Sequence, residues 1–194
     1  ELLSPVINFA EEKPAEYEFL PIKPSPRQQE YRNKMEFSFG DEIKDGPLAL
    51  GMHKSNSFYD IVSVTGCRIV DEDFRKILSV TLKYFGEREV SFYHKLRHTG
   101  YLRHLLVRKS EKTGEILVDL VTTTQVSSFC EDELLSGYRE VLLHESYAGA
   151  LTGLLHTRND SVADAIKNEG TVILFGQDYF FEELLGMKFK ITPF

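Results

Sequence analysis

The alternation over residues 34–40 constrains this chain more than any other stretch. Met35, Phe37 and Phe39 interleave with Lys34, Glu36 and Ser38. Successive strand side chains point to opposite faces, so the pattern predicts a strand over Asn33–Gly40 with one buried face. Such a strand needs partners, and the sequence offers them. Asp45, Gly46 and Pro47 mark a turn, after which Leu48–His53 and Phe58–Val64 read as strands around a Lys54–Ser57 turn. Tyr101–Arg108 and Glu115–Thr124 are β-rich runs about Lys112-Thr113-Gly114, the pattern of a hairpin. Ala150–His156 and Val172–Phe175 read as two more strands, with a short Val162–Lys167 helix between them. Tyr179–Phe181 and Met187–Ile191 close as a hairpin, where Met187, Phe189 and Ile191 alternate with Lys188 and Lys190.

Two segments change period from two to nearly four. Over Asp71–Phe85 the residues Phe74, Ile77, Leu78, Leu82 and Phe85 share one helical face. Asp71 can cap that helix, and Gly86 sits where a left-handed residue ends one. Glu131–Leu143 is a second amphipathic helix, with Leu134, Leu135, Tyr138, Val141 and Leu142 inward. Strands outnumber helices and tight links dominate. The expected class is therefore α+β: a mostly antiparallel sheet with two main amphipathic helices packed on it. Residues 1–30 hold five of the seven prolines and read as an extended arm; residues 31–194 form the domain.

Motifs for self-contained chemistry are missing. No glycine-rich phosphate loop, nucleophile elbow, His-Glu-x-x-His or Cys-x-x-Cys occurs. Two cysteines, Cys67 and Cys130, make no disulfide framework, which favours a cytoplasmic setting. Glu131, Asp132 and Glu133 beside Cys130 disfavour a reactive thiolate there. The six histidines pair at no metal-ligand spacing. No apolar run reaches the roughly 18 residues that cross a bilayer.

Net charge is −7, which opposes indiscriminate binding to nucleic acid but leaves room for a local basic face. Arg32 and Lys34 open the first strand. Arg103, His104 and Arg108 lie along another, just after Lys95, Arg97 and His98. These residues are either ordinary solvated charge or a shallow phosphate-binding face, with Tyr31 and Tyr101 placed to stack on unpaired bases.

Seven blocks in register then resemble the RNA (uracil-5-)-methyltransferase family. They are Tyr31-Arg32-Asn33-Lys34-Met35-Glu36-Phe37-Ser38-Phe39-Gly40; Leu50-Gly51-Met52-His53-Lys54 with Phe58-Tyr59-Asp60-Ile61-Val62; Gly66-Cys67-Arg68-Ile69-Val70; Tyr101-Leu102-Arg103-His104-Leu105; Gly114-Glu115-Ile116-Leu117-Val118; His156-Thr157-Arg158-Asn159-Asp160; and Tyr179-Phe180-Phe181-Glu182-Glu183-Leu184-Leu185-Gly186. The resemblance implies the central domain of a longer protein, with the S-adenosylmethionine-binding catalytic domain absent from this chain. It implies a parent that uses S-adenosylmethionine to form 5-methyluridine, in ribosomal more than transfer RNA. This segment alone would be inactive and holds no catalytic residue. Arg32 matches the arginine of the family's Tyr-Arg block and is the foremost RNA-binding candidate, followed by Lys34, Arg103, His104 and Arg108. Cys67 matches the fourth ligand of the [4Fe-4S] cluster that many members hold, orphaned here because its three partners would lie upstream. The expected partners are RNA and the rest of the same polypeptide. Two other readings fit the same residues: a non-catalytic RNA-binding module, and a structural interaction domain whose charges are merely solvated.

Overall fold

The computed structural model describes residues 18, 20–57, 60–126, 129–162 and 168–194. Among the described residues nine strands and two helices follow one another: β1 (Lys34–Asp41), β2 (Leu48–His53), β3 (Ile61–Ser63), α1 (Glu72–Gly86), β4 (Leu102–Lys109), β5 (Glu115–Thr122), α2 (Glu131–His144), β6 (Ala150–Arg158), β7 (Thr171–Gly176), β8 (Phe180–Leu184) and β9 (Met187–Ile191). The first seven strands form one sheet in the order β3-β2-β1-β4-β5-β6-β7, and β8 pairs with β9 alone. Every pairing is antiparallel except β5 with β6. That exception has a topological cause: α2 lies between these two strands and carries the chain back to the same end of the sheet. The α+β class holds.

The alternation in β1 does what its period predicts. Met35, Phe37 and Phe39 enter the main core, and Lys34 and Glu36 stay exposed. Opposite Phe37 and Met35 stand Leu105 and Val107 of β4. Both helices cover this face. From α1 come Phe74, Ile77, Leu78 and Phe85, and from α2 come Leu134, Leu135, Tyr138 and Leu142. Polar groups carried inward find partners, as burial requires. The hydroxyls of Thr81 and Tyr138 are 2.8 Å apart, and Tyr84 donates to the Leu134 carbonyl at 2.7 Å.

A buried ionic joint locks the start of α1. Asp71 Oδ1 accepts from the Asp73 and Phe74 amides at 3.0 and 3.3 Å, a helix N-cap. Lys109 Nζ, at the end of β4, bonds Asp71 Oδ2 and reaches Asp73 Oδ2 at 2.7 Å. Asp73 also accepts from the Ala148 and Gly149 amides at 2.8 and 2.9 Å, just before β6. Burial alone would raise the Asp73 pKa, but the Lys109 ammonium and the two amides outweigh it and hold the carboxyl below its ordinary value.

Several expectations shift. Gly86 remains the last helical residue, and the left-handed position falls at Glu89 (φ 51°). The chain leaves α1 through turn bonds that bring Val90 back into the core, so the helix end is set by Val90 rather than by the glycine. Val141 is 36% exposed because Leu134, Leu135, Tyr138 and Leu142 already fill the inward stripe. Tyr101 is fully buried and offers no stacking face, whereas Tyr31 is 55% exposed. Met187 and Phe189 stay exposed, and only Ile191 of that alternation packs inward. The Phe58–Val64 strand pairs only at Ile61–Ser63, with residues 58–59 outside the described ones. Most of the expected Val162–Lys167 helix, residues 163–167, also lies outside them. Of the arm, residues 1–17 and 19 lie outside, and 20–29 carry no helix or strand.

The ionic joint makes a sharp prediction. The Asp73 side chain is 1% exposed, so Asp73→Ala leaves two amides without their acceptor and Lys109 with Asp71 alone. Removing one partner of a buried pair costs about 3–5 kcal/mol. Urea denaturation should show a loss of that size; a midpoint within error of the parent's would mean the joint carries no stability.

Candidate nucleic-acid interface

The sheet has a second face, away from the helices. In β1 it carries Lys34, Glu36 and Ser38, and their register partners in β4 are Arg108, Leu106 and His104. Arg32, two residues before Lys34, extends the row. Its backbone amide bonds the Ile69 carbonyl at 3.0 Å, and its Nε donates to the Lys34 carbonyl at 3.1 Å. Arg32 and Lys34 are exposed. Arg108 is half-buried and donates through Nε to the Pro193 carbonyl at 3.1 Å, and burial lowers its pKa. Arg32, Lys34 and Arg108 thus gather at one rim of this face, Lys34 standing opposite Arg108.

His104 lies deeper in the same face. It is 4% exposed, with Nδ1 3.3 Å from Ser38 Oγ. Arg103 sits where the β4–β5 register shifts between Leu102 and His104. Its guanidinium lies 4.4 Å from the Tyr93 ring centroid and donates to the Asn159 and Ser161 carbonyls at 2.7 and 2.6 Å. Arg103 is 4% exposed, so its observed work is to fasten the chain after β6 onto the sheet.

Cys67 occupies the turn between β3 and α1. Its amide bonds the Val64 carbonyl at 2.9 Å, and it packs half-buried against the main core. Cys130 is exposed at the start of α2. Among the described residues no group of three or more histidines, cysteines or acids is arranged to hold a metal. A four-iron cluster needs four thiolates, so the residues described here do not fit one.

Two further titratable groups are buried: Asp119, not singled out from the sequence, and His156, one of the six histidines. Asp119, in the middle of β5, faces the same side as His104 and Leu106. It accepts from Thr157 Oγ1 at 2.9 Å, and its other oxygen has no hydrogen-bond partner among the described residues. Burial pushes its pKa up to about 7. His156 of β6 lies on the helix side, with Nε2 2.8 Å from Thr122 Oγ1, and burial pushes its pKa down to about 4. Beside it, Tyr101 donates to Glu131 at 2.8 Å, and Glu131 pairs with Arg158. An aspartate inside Glu115–Thr122 was the available signal for Asp119: a lone acid in an apolar strand is either neutral or paired.

No family model matches the chain. It is 51% identical over 177 residues to an uncharacterized RNA methyltransferase of Clostridium tetani, covering 91% of this chain and 38% of that protein. An uncharacterized RNA methyltransferase of Clostridium acetobutylicum is 48% identical over 186 residues, covering 96% and 40%. The fold is similar to that of the Pyrococcus abyssi tRNA (uracil-54, C5)-methyltransferase, solved in complex with S-adenosyl-L-homocysteine. The TM-score is 0.63 at 19% identity, over 88% of this chain and 37% of that one. The chain therefore spans about two-fifths the length of the relatives it matches. Among the described residues no helix is long and apolar enough to cross a membrane.

The two buried groups set a pH window. Asp119 keeps its proton up to about pH 7 in the native state, while the unfolded chain releases it near 3.8, so stability falls as pH rises between those values. His156 stays neutral down to about pH 4 in the native state, while the unfolded chain takes a proton near 6.5, so stability falls as pH drops through that range. Asp119→Asn should raise the thermal midpoint at pH 8 and leave it nearly unchanged at pH 4. A midpoint that falls equally at both values would show that Asp119 is not held against its charge.

Proposed function

With the chain placed by these relatives in the RNA methyltransferase family, we propose that it is the central, RNA-holding domain of an S-adenosylmethionine-dependent RNA (uracil-5-)-methyltransferase acting in the cytoplasm. The observation that carries this reading is the rim formed by Arg32, Lys34 and Arg108 at the end of the β1–β4 pair. Two strands fix these cations relative to one another. Lys34 stands opposite Arg108 across the strand pair, so the cations meet at one place where the phosphates of a looped strand can be held.

In this reading Arg32 and Lys34 take phosphate directly, and Arg108 adds charge while tying down the chain near Pro193. Arg103 and His104 act from beneath. Arg103 holds the Asn159–Ser161 segment, and His104 braces β1 through Ser38. All five are positioning or binding residues; none is assigned a part in bond making. S-adenosylmethionine would supply the methyl group for C5 of a uracil, and the reacting groups would belong to the remaining three-fifths of the parent. The substrate proposed is ribosomal RNA, as the family resemblance implies. The transfer-RNA specificity named for the Pyrococcus protein is that protein's own.

Fluorescence anisotropy with a labelled ribosomal hairpin, and with a transfer RNA for comparison, tests this. Each of Arg32→Ala and Lys34→Ala should weaken binding several-fold and lower the salt slope by about 0.7, the value for one single-strand phosphate contact. Retention of both affinity and slope in the two variants would refute the rim as the RNA contact. Stronger binding of the transfer RNA would reverse the substrate assignment alone.

A further inference from the structure

A second basic feature lies outside that rim. Between α1 and β4 the chain makes a narrow loop, residues 91–100. It is closed at its base by Tyr93 N to Leu102 O at 2.7 Å and higher up by His94 N to Thr99 O at 2.8 Å. At the tip stand Lys95, Leu96, Arg97 and His98. Leu96 is 65% exposed and the Arg97 side chain 62%.

The tip is held in one shape. His94 Nδ1 accepts from the Leu96 and Arg97 amides, both at 3.3 Å. His98 adopts φ 54°, with its Nδ1 3.0 Å from the Tyr93 hydroxyl. Gln125 clamps both sides of the return: its Nε2 donates to His98 O at 3.0 Å and its Oε1 accepts from Gly100 N at 3.1 Å. Gly100 has φ 118°, and a Cβ there would lie 1.9 Å from the Phe92 carbonyl, so only glycine fits. Lys95 leans on His53 at the end of β2, 3.3 Å away. A loop fixed this firmly loses little entropy on binding.

Beside the loop is a cavity of about 680 Å³. Phe92 and His94, with rings stacked 6.4 Å apart, line it together with Asp41 and Asp45. Arg97 stands at the cavity with its Nη2 3.9 Å from Asp45 Oδ1, Lys95 is its neighbour on the loop, and the carboxylates and Gln125 supply acceptors. That arrangement suits a nucleotide: the phosphates stay outside with Lys95 and Arg97, while base N–H groups face the carboxylates and the base plane meets an aromatic ring. A protein partner fits less well, because Leu96 is one isolated apolar residue rather than a patch.

We propose that the 91–100 loop is a preformed finger that grips an unpaired stretch of the RNA, with Lys95 and Arg97 on phosphates and the adjoining cavity taking one unstacked base. This rests on the RNA-holding reading above and adds a second contact separate from the Arg32–Lys34 rim.

The test uses the 194-residue chain and an RNA hairpin with 4-thiouridine in its unpaired loop. Affinity is measured across a salt series for the parent chain, Lys95→Ala/Arg97→Ala and Arg32→Ala/Lys34→Ala. The finger variant should bind about tenfold more weakly, with a salt slope shallower by about 1.4, the value for two single-strand phosphate contacts. Cross-links in the parent should map to residues 91–100. Unchanged melting temperatures exclude misfolding, since all four side chains lie at the surface. Parent-like affinity and slope in the finger variant would overturn the finger while leaving the rim intact if the rim variant still loses binding. Loss in the finger variant alone would uphold the finger and remove the rim. A parent chain that does not bind the hairpin even at low salt overturns both.

Discussion

The contact of Lys109 with Asp71 and Asp73 is the joint on which the arrangement depends. It sits where three separate parts of the chain converge: the end of β4, the first turn of α1 and the residues just before β6. Charges this deep are stable only when each finds several partners, and here each does. Lys109 meets two carboxylates, Asp71 also caps the helix, and Asp73 also accepts two amides. The geometry is therefore mutually exclusive of alternatives. If α1 rotated by one residue, the cap, the ion pair and the amide contacts would all fail together. In this way a polar cluster sets the register with which an otherwise greasy helix lies on the sheet.

Fixing α1 in this way has consequences on the far side of the sheet. β4 and β5 are buried along nearly their whole length, because helices cover one face and the C-terminal hairpin reaches the other. Glu182 of β8 pins that hairpin by accepting from the Glu111 and Lys112 amides in the β4–β5 turn, at 2.7 and 3.3 Å. Phe180 and Ile191 then cover Leu117 and Leu155. The second face is open at the β1 end, where Arg32 and Lys34 stand, and at β7, where Ile173 is 50% exposed. The cover reaches the rim only at Arg108, which bonds the Pro193 carbonyl, and leaves Arg32 and Lys34 exposed.

The parts of this design written in local sequence could be read directly. Period two in β1, the apolar stripe of α1 with Asp71 before it, and the hairpin at Lys112-Thr113-Gly114 all depend on neighbours within a few residues. The antiparallel bias and the α+β class followed from them. Coverage of the second face could not be read, because it joins residues far apart in the chain. So the Met187–Ile191 alternation could be read, but not that only Ile191 packs inward; likewise Tyr101 looked like an available aromatic when it is core, and nothing local marked Lys109. The same distance effect governs the candidate site. Arg32, Lys34 and Arg108 can be listed from sequence, but their gathering at one rim needs the β1–β4 register. Arg103 and His104 could not be told from surface cations without knowing that the register shift in β4 turns them into the structure.

Net charge misleads for a related reason. The chain carries −7, yet several of its acids are neutralised or tied down internally. Asp71 and Asp73 meet Lys109, Glu131 meets Arg158, Glu182 serves backbone amides, and Asp119 sits where burial favours its proton. An approaching polyanion responds to charges within about one Debye length, roughly 8–10 Å at physiological salt, and not to the sum over the molecule. At the β1 rim Arg32 and Lys34 are exposed, and at the 91–100 tip Arg97 is exposed with Asp45 3.9 Å from its guanidinium. An acidic chain can therefore present two local phosphate-attracting surfaces, while its overall charge discourages indiscriminate binding elsewhere. That combination favours a ligand able to reach both places in one geometry over any passing nucleic acid.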